Sequence, residues 1–561
     1  MPSTPKINFN FINNNVEESS PLRGISTVLA RTTKGPVLDP STLIKGVTQF
    51  QRTFGEEIVP NGSVSNIQKA LEGGSILRIV RVVGKGATSG LVNEGKAVIT
   101  IKLGGVSYGL KLTTRGAGEP IGTGSTYTVK FTKSQNTLYY EVVGANGSTL
   151  ESGPVFTYKT KDTANNTSID YLALAQWIQI NSYFKVSLAE GEESLAEGGS
   201  KGGTSMESFL TELAKADGTS IAIEVTFVES STGSIGTTET EKPTSKEYID
   251  ALDYVRDYPD SYNVIFSHLE QHLDSTEAIK VYTQFRTVLD ELNEFRGFIE
   301  VPWFNTDGSV RTKDQILTAT DDIINTIGNS KWISYFTSGL KYNNAFGIPQ
   351  NSDVIGTVVG LADASATSYG YNYSFAGVRR GVVPNAQGPV LLNYGSPARV
   401  TDLEEFAQHY LNLFVIKDTP SFGKRTLLWH NFTSQVKQDS FRFLGVTGLV
   451  LDIKKMLRPI LESYIEEPNY WGTWKNMYLE VKPLIDEWVT NEAMTDPVWE
   501  GDQDATSWKD LIINTEADAR SGHYKARFRF KDIVALQDIT LDVVIEKATK
   551  SVSIDIVDSA A

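Results

Sequence analysis

The sequence predicts a multidomain chain of mixed class, α/β and α+β, with a β-rich insertion and an extended strand at each end. Three observations predict it. From Thr244 onward, strand-like and helix-like segments alternate, the order that builds a largely parallel sheet covered by helices. Between Gly84 and about Lys242 the chain turns rich in Gly, Ser and Thr, with the two-residue alternation of antiparallel strands. Ile7, Phe9 and Phe11 near the start, and Val552, Ile554 and Ile556 near the end, also keep a strand period.

Composition sets outer bounds. A chain of 561 residues suggests about three or four domains. Apolar residues at 40% and charged residues at 21% fit a folded protein, not a disordered one. There is no cysteine, so disulfides and thiolate metal clusters are excluded. A net charge of -15 argues against non-specific nucleic-acid binding, which rests on neutralising phosphates. No apolar run reaches the roughly 18 residues of a membrane helix. Met1 to Asn15 lacks the basic and apolar regions of a signal peptide, so folding in a cytoplasm is expected.

The elements follow in order. The strand Ile7–Phe11 sits on a polar tether, Asn13 to Ser20, with no hairpin partner nearby; its partner is expected far along the chain or in another chain. Ile25 to Ala30 reads as a strand and Gly35-Pro36 as a turn. Val47, Phe50 and Phe54 have helical spacing, with Gly55 as C-cap. Val64 to Leu71 gives another helix, stopped by Gly73-Gly74, and Ile76 to Val83 a strand. In the insertion, Val98 to Leu112, Tyr127 to Val143 and Ile221 to Phe227 read as antiparallel strands, Tyr171 to Ile180 as a helix and Gly191 to Ser205 as a linker. Ser245 with Tyr248, Leu252 and Val255 reads as a capped helix. Tyr262–Phe266, Phe298–Val301 and Trp332–Phe336 read as strands, Thr276–Leu292 and Asp314–Ile327 as helices, and Val354–Ala362 as either. Beyond Thr401, Leu403 to Tyr410 shares a helix face. Val446 to Leu461 keeps a helical period interrupted at Pro459, and Trp474 to Val489 one interrupted at Pro483. Ala526–Phe530, Ile539–Ile545 and Val552–Ile556 alternate as strands. For the last of these, a plain sheet edge within the chain and exchange with another chain stand level.

Motifs with catalytic spacing fail on context. Gly105-Val106-Ser107-Tyr108-Gly109 matches a nucleophile elbow, which requires a strand, a sharp turn and then a helix. Here Leu110, Leu112 and Thr114 continue a strand period, so a hairpin is expected. His268 and His272 have the spacing of two zinc ligands, but Glu270 is misplaced and no third ligand follows; a surface helix end is expected. Gly84, Gly86 and Gly90 lack the helix that a dinucleotide pyrophosphate needs. Asp502 and Asp504 lack the glycine of a calcium loop, since Ser507 holds its place, and read as a solvated acidic loop. The aromatic group Tyr470, Trp471, Trp474 and Tyr478 reads as helix core. No catalytic residue, metal ligand or cofactor is expected.

The chain resembles the tail sheath proteins of contractile phages and related injection machines. At the N-terminal end the resemblance rests on Gly24 to Val28, Lys34-Gly35-Pro36, Phe50 with Phe54-Gly55, Gly73-Gly74 and Leu77 to Val82. Further on it rests on Gly423-Lys424-Arg425-Thr426-Leu427 and on Glu467-Pro468-Asn469 with Trp474. Together these cover about residues 1–85 and 245–561. Val446-Thr447-Gly448 departs from the family's "VRR", and residues 86–245 match nothing in it.

The resemblance implies a subtilisin-like α/β central region without a catalytic triad. It divides the chain into an N-terminal arm (1–20), the first part of the core (21–85), outward-facing β-rich insertion (86–245), central core (246–400), C-terminal domain (401–545) and C-terminal arm (546–561). It implies a non-enzymatic homo-oligomer of hexameric rings stacked around an inner tail tube protein, capped by baseplate and tail terminator proteins. Such a sheath is assembled in the host cytoplasm, ends in the virion, binds no nucleic acid and inserts into no membrane. Arm strands carrying Ile7, Phe9, Phe11, Val552, Ile554 and Ile556 would pair with neighbouring subunits. Lys454, Lys455 and Arg458 would face the tube, or form a solvated helix face. Burial of Ile7, Phe9 and Phe11 contributes about 5–9 kcal/mol, against roughly 7–14 kcal/mol for ordering seven residues. The arm is therefore expected to order only on an existing sheet. A bacterial injection-system sheath, a hydrolase built on Ser107 and a monomeric adhesin are the alternatives.

Overall fold

The computed structural model describes residues 23–85 and 242–533, apart from 34, 60–63, 306–307, 344–348, 420–422 and 438. It also describes the backbone of paired strands between 97 and 226, and at 541–544 and 553–556.

The central sheet is built from β1 (Ile25–Ala30), β2 (Leu43–Ile44), β3 (Ile76–Arg81), β4 (Asn263–Phe266), β5 (Arg296–Glu300), β6 (Ile333–Thr337), β7 (Leu411–Thr419) and β8 (Gly423–Leu428). Their order is β2-β3-β1-β4-β5-β6-β7-β8. The strands from β3 through β7 pair in parallel, and the edge strands β2 and β8 pair antiparallel. β1 lies between β3 and β4, with Val28 opposite Ile79 and Ile265. Each strand of this sheet needs apolar side chains on both faces. Leu29, Val264, Ile299 and Ile333 point to one core, and Val28, Ile79, Ile265 and Phe298 to the other.

Helices cover both faces. α1 (Val47–Phe54) and α2 (Asn66–Glu72) pack on one side. α3 (Ser245–Arg256), α4 (Ser275–Leu292) and α5 (Lys313–Ile327) pack on the other. α6 (Ile355–Tyr369) returns to the first side, and α7 (Val400–Gln408) to the second. The α3 cap is Thr244, one residue before the expected Ser245, in a reciprocal capping box with Glu247. α5 starts with the same device from Thr312 and Gln315. α6 resolves the ambiguity at Val354–Ala362 as a helix. Its first turns are buried almost all round, so no polar face marks the 3.6-residue period.

In the pair Gly73-Gly74, the second takes a left-handed φ of 92° and the first has a packing cause. A Cβ on Gly73 would sit 2.5 Å from the Gly360 Cα, and one on Gly356 would sit 2.1 Å from the Asn66 carbonyl oxygen. α2 and α6 therefore meet backbone to backbone.

The central sheet runs past residue 400, the boundary expected from sequence, because β7 and β8 belong to it. After Leu428 the chain enters α8 (Leu444–Ser463) and α9 (Trp471–Thr490), then β9 (Met494–Glu500) and β10 (Arg527–Asp532). Both helices continue through their prolines, Pro459 and Pro483. A separate core of Leu449, Ile453, Met456, Val481, Ile485, Trp488 and Met494 joins them. The start of α8 is buried in the main body and its second half walls this smaller core. The last strands, β11 (Leu541–Val544) and β12 (Ser553–Ile556), pair antiparallel with each other.

In the insertion the antiparallel expectation holds. Strands 97–103, 106–114 and 184–188 form one sheet. Strands at 126–134, 137–143, 149–152, 156–160, 167–169 and 220–226 form another. Neither shares a strand with the central sheet. The helix expected at 171–180 and the linker at 191–205 lie outside the described residues.

Alanine favours a helix over glycine by about 1 kcal/mol, so contact alone should decide its effect in α6. Gly356→Ala is expected to lower unfolding free energy by about 1–3 kcal/mol through overpacking. Gly360→Ala, whose Cβ meets nothing nearer than 3.1 Å, should cost markedly less. Guanidinium denaturation of the two variants checks the order.

Candidate assembly surfaces and buried polar clusters

Ligands of parallel sheets gather at the carboxyl ends of the strands, and here that region is filled. His268 follows β4 with a left-handed φ of 53° and is 4% exposed. Its Nδ1 lies 2.7 Å from Asp353 Oδ2. Asp353 also accepts from Gln271 Nε2 at 2.8 Å and from Trp303 Nε1 at 3.0 Å. His268 Nε2 faces Asn66 Nδ2 at 3.4 Å and Glu57 Oε1 at 3.9 Å. Glu300, at the end of β5, accepts the backbone N–H groups of Val354 and Ile355 before α6. Burial opposes the charge on His268, but its bond to Asp353 and the negative charges of Asp353 and Glu57 hold its pKa above the usual value.

This arrangement resembles half of a hydrolase triad. Ser267 Oγ, however, accepts from Asn66 Nδ2 at 3.0 Å, and the adjoining cavity measures about 20 Å³. That volume holds about one water, not a substrate. The cluster cements β4, α6 and the segment after β5. The expectation of a surface helix end at His268 and His272 is thus corrected: tertiary burial from Asp353 and Glu57, distant in sequence, encloses His268. Ser107 lies within strand 106–114, paired with Lys102, as the hairpin expectation required. Among the described residues, no group of three or more His, Asp and Glu side chains could hold a metal ion.

A second cluster lies at the opposite end of the sheet. Asp363 on α6 is fully buried and accepts from Ser26 Oγ at 2.7 Å and Asn263 Nδ2 at 2.9 Å. Burial pushes its carboxyl up to about 6, against the lowering effect of these bonds and of Arg296. Arg296 Nε donates to Asn263 Oδ1 at 3.0 Å, and its Nη1 to the Leu444 carbonyl at 2.9 Å. A third cluster centres on Asp452 of α8, which is 2% exposed. Arg23 donates to it through Nε at 3.0 Å and Nη2 at 2.9 Å. Tyr262 Oη and Trp488 Nε1 donate to it at 3.0 Å each. Arg23 Nη1 also reaches Glu487 of α9 at 3.0 Å.

The three basic residues expected at a tube contact converge on one carboxylate, Glu294. Lys454 lies 2.6 Å from it and also donates to the carbonyls of Leu292 and Asn293. Arg458 bonds the same carboxylate. Lys455 is 7% exposed, bonds the Pro259 carbonyl, and is pushed down to about 7 by burial. Only Lys454 and Arg458 keep partly exposed side chains, at 39% and 31%.

The C-terminal domain carries the open surfaces. β9 and β10 form a sheet of two strands. Phe528 and Phe530 turn toward α9, where Trp488 lies 6.4 Å from Phe528. Arg527, Arg529 and Lys531 alternate outward and pair with Glu500 and Asp496. β9 is interrupted by a bulge between Thr495 and Val498 that contains Pro497. A groove of about 740 Å³ runs beside this sheet, lined by Leu457, Leu461, Trp474, Met477, Trp499 and Phe528. The aromatic group divides. Trp474 is 1% exposed and stacks on Tyr524, while Tyr470 is 42% exposed. Asn469 accepts from Trp474 Nε1 at 2.7 Å and donates to the carbonyls of Ala519 and His523. The Glu-Pro-Asn…Trp spacing is therefore a loop lock. In the acidic loop Asp504 is exposed as expected, while the half-buried Asp502 is another lock. It accepts from the N–H groups of Ile512, Ile513 and Asn514, which hold its carboxyl low although burial acts the other way.

Of the arm residues, Ile7, Phe9, Phe11 and Val552 lie outside the described residues. Ile554 and Ile556 fall on β12, one edge of which is taken by β11 of the same chain.

No protein-family model and no curated protein matches the chain. Among solved structures, it is similar to the sheath tail protein Lin1278 from Listeria innocua. That match has 11% identity and a TM-score of 0.46, over 91% of this chain and 95% of the other. The helical sheath of the anti-feeding prophage in its contracted state matches at 14% identity and a TM-score of 0.38, over 55% and 76%. The sheath complex of an extracellular contractile injection system, PVC, in its contracted state matches at 12% identity and a TM-score of 0.39, over 54% and 75%. These similarities are to contractile sheath proteins.

The Asp363 carboxyl binds its proton more tightly in the folded chain than in the unfolded one, where its pKa is near 3.8. Its contribution to stability is full below about pH 4 and is lost as pH rises through about 6, on the order of 3 kcal/mol in all. Asp363→Asn should therefore lose less stability than the unmodified chain between pH 4.5 and 7.5. Denaturation curves across that range measure it.

Proposed function

We propose that the chain is a structural subunit of a contractile tail sheath, polymerising as stacked hexameric rings around an inner tube and contracting to drive the tube through a cell envelope. One observation carries this reading: the two-stranded β9–β10 sheet, backed by Trp488 and open beside an apolar groove, is a ready acceptor for an added strand. Isolated two-stranded sheets are marginal in water, and a third strand would complete this one. The chain also carries a donor, Ile7–Phe11 on its polar tether. The bulge and Pro497 blunt the outer edge of β9, so the outer edge of β10 is the acceptor. The order of sequence motifs adds support, since Asn469, Trp474 and Gly73 do identifiable packing work.

In this reading the central α/β body is a rigid block related to subtilisin-like folds, the insertion faces outward, and the β11–β12 hairpin is the C-terminal arm. The tube contact, if made from α8, uses the exposed parts of Lys454 and Arg458. Partners are further copies of this chain, an inner tube protein, and baseplate and terminator proteins. The working location is the virion.

Deleting Met1 to Asn15 should leave folded, soluble subunits that no longer polymerise. Electron microscopy of the full chain should show hollow striated tubes, and of the truncation dispersed particles. Normal sheaths from the truncated chain would refute strand donation, and dispersed full-length particles at every concentration would refute the sheath itself.

A further inference from the structure

The root of the N-terminal arm is pinned at several points. Arg23 makes a two-pronged bond to the buried Asp452 of α8 and a third bond to Glu487 of α9. The next residue, Gly24, has a left-handed φ of 78°. Its N–H donates to Tyr371 Oη at 3.0 Å, and its carbonyl accepts from Ile76 N–H at 2.9 Å. Tyr371 is itself stacked on Tyr262 at 4.0 Å, and Tyr262 bonds Asp452. The chain cannot pivot between Arg23 and β1.

We propose that Arg23 is a positioning residue, which fixes the exit of the arm and shares load in the arm between β1 and the helix pair α8 and α9. The proposal rests on the sheath reading and deepens it. Tension reaching Arg23 acts on Asp452 and Glu487, and so on the two helices. Those helices also carry the β9–β10 sheet, through Trp488 against Phe528 and through the core of Leu449, Ile453, Val481 and Ile485. The sheet that receives a neighbour's arm and the clamp that anchors the subunit's own arm thus share one helix pair. The helix pair thus gives force entering at β10 a side-chain route to Arg23 beside the backbone route through β1.

The test uses the full-length chain and three variants. Arg23→Gln removes the clamp. Glu487→Gln removes the charge from one bond, at a side chain 41% exposed, and should spare the fold. Arg78→Gln is a control for lost stability, because Arg78 makes a comparable pair with Asp260 and its hydrogen bonds go to Asp260, Pro40 and Ser41, none of them on α8 or α9. Two quantities are measured on each: the Tm of dispersed subunits, and the lowest concentration at which striated polymers form and survive shear. Arg23→Gln and Arg78→Gln should both lower Tm. Of these two, Arg23→Gln alone should raise the polymerisation threshold, by about tenfold, equivalent to about 1.4 kcal/mol per contact, with fragmentation under shear. Glu487→Gln should shift the threshold in the same direction by less, at nearly unchanged Tm. The proposal is overturned if Arg23→Gln and Glu487→Gln polymerise and resist shear as the unmodified chain does, or if Arg78→Gln raises the threshold as far. In those outcomes the unmodified chain still forms sheaths and the sheath reading stands. If the unmodified chain forms none, both fall.

Discussion

One buried carboxylate holds the parts of this molecule in register. Asp452 accepts four hydrogen bonds from three other places in the chain: Arg23 twice, Tyr262 and Trp488. An ionised carboxylate inside a protein is costly unless its lone pairs are filled, and removing one partner exposes the whole penalty. Here the donors come from the approach to β1, the approach to β4 and α9, while the acceptor stands on α8. No single element can move alone without leaving this charge under-satisfied. That is the meaning of "one body" for a chain whose last domain has its own small core.

The same economy of contact appears elsewhere. Glu294 gathers Lys454, Lys455 and Arg458, so the third and fourth turns of α8 are tied to the strand β5 that follows Glu294. The His268–Asp353 pair ties β4 to the start of α6. Each of these polar knots joins a helix to the edge of a sheet strand, where apolar packing has little grip. A bare apolar core would allow sliding; directional bonds at its rim set one arrangement.

Local signals made most of the central fold legible. β1 and β3 were plain as apolar runs, and α3, α4 and α5 as helices, the first of them with a cap. What stayed hidden was tertiary. The burial of His268 depends on Glu57 and Asp353, which no local pattern connects. The role of Arg23 depends on residues more than four hundred positions away. Lys455 looked like part of a basic helix face, yet the Pro259 carbonyl and Phe295 ring enclose it. The departure at Val446-Thr447-Gly448 also has a tertiary cause. A Cβ on Gly448 would lie 2.7 Å from Arg296 Nη1, so the buried arginine of β5 dictates a small residue there. The sequence could show the residue, but not the neighbour that requires it.

The unequal edges of the β9–β10 sheet have a geometric consequence. A sheet with one usable edge takes a single added strand and cannot propagate edge to edge, since the next sheet would have to leave from the blunted side. A kink of one proline and one extra residue, set in a strand seven residues long, thereby caps growth of this sheet on one flank.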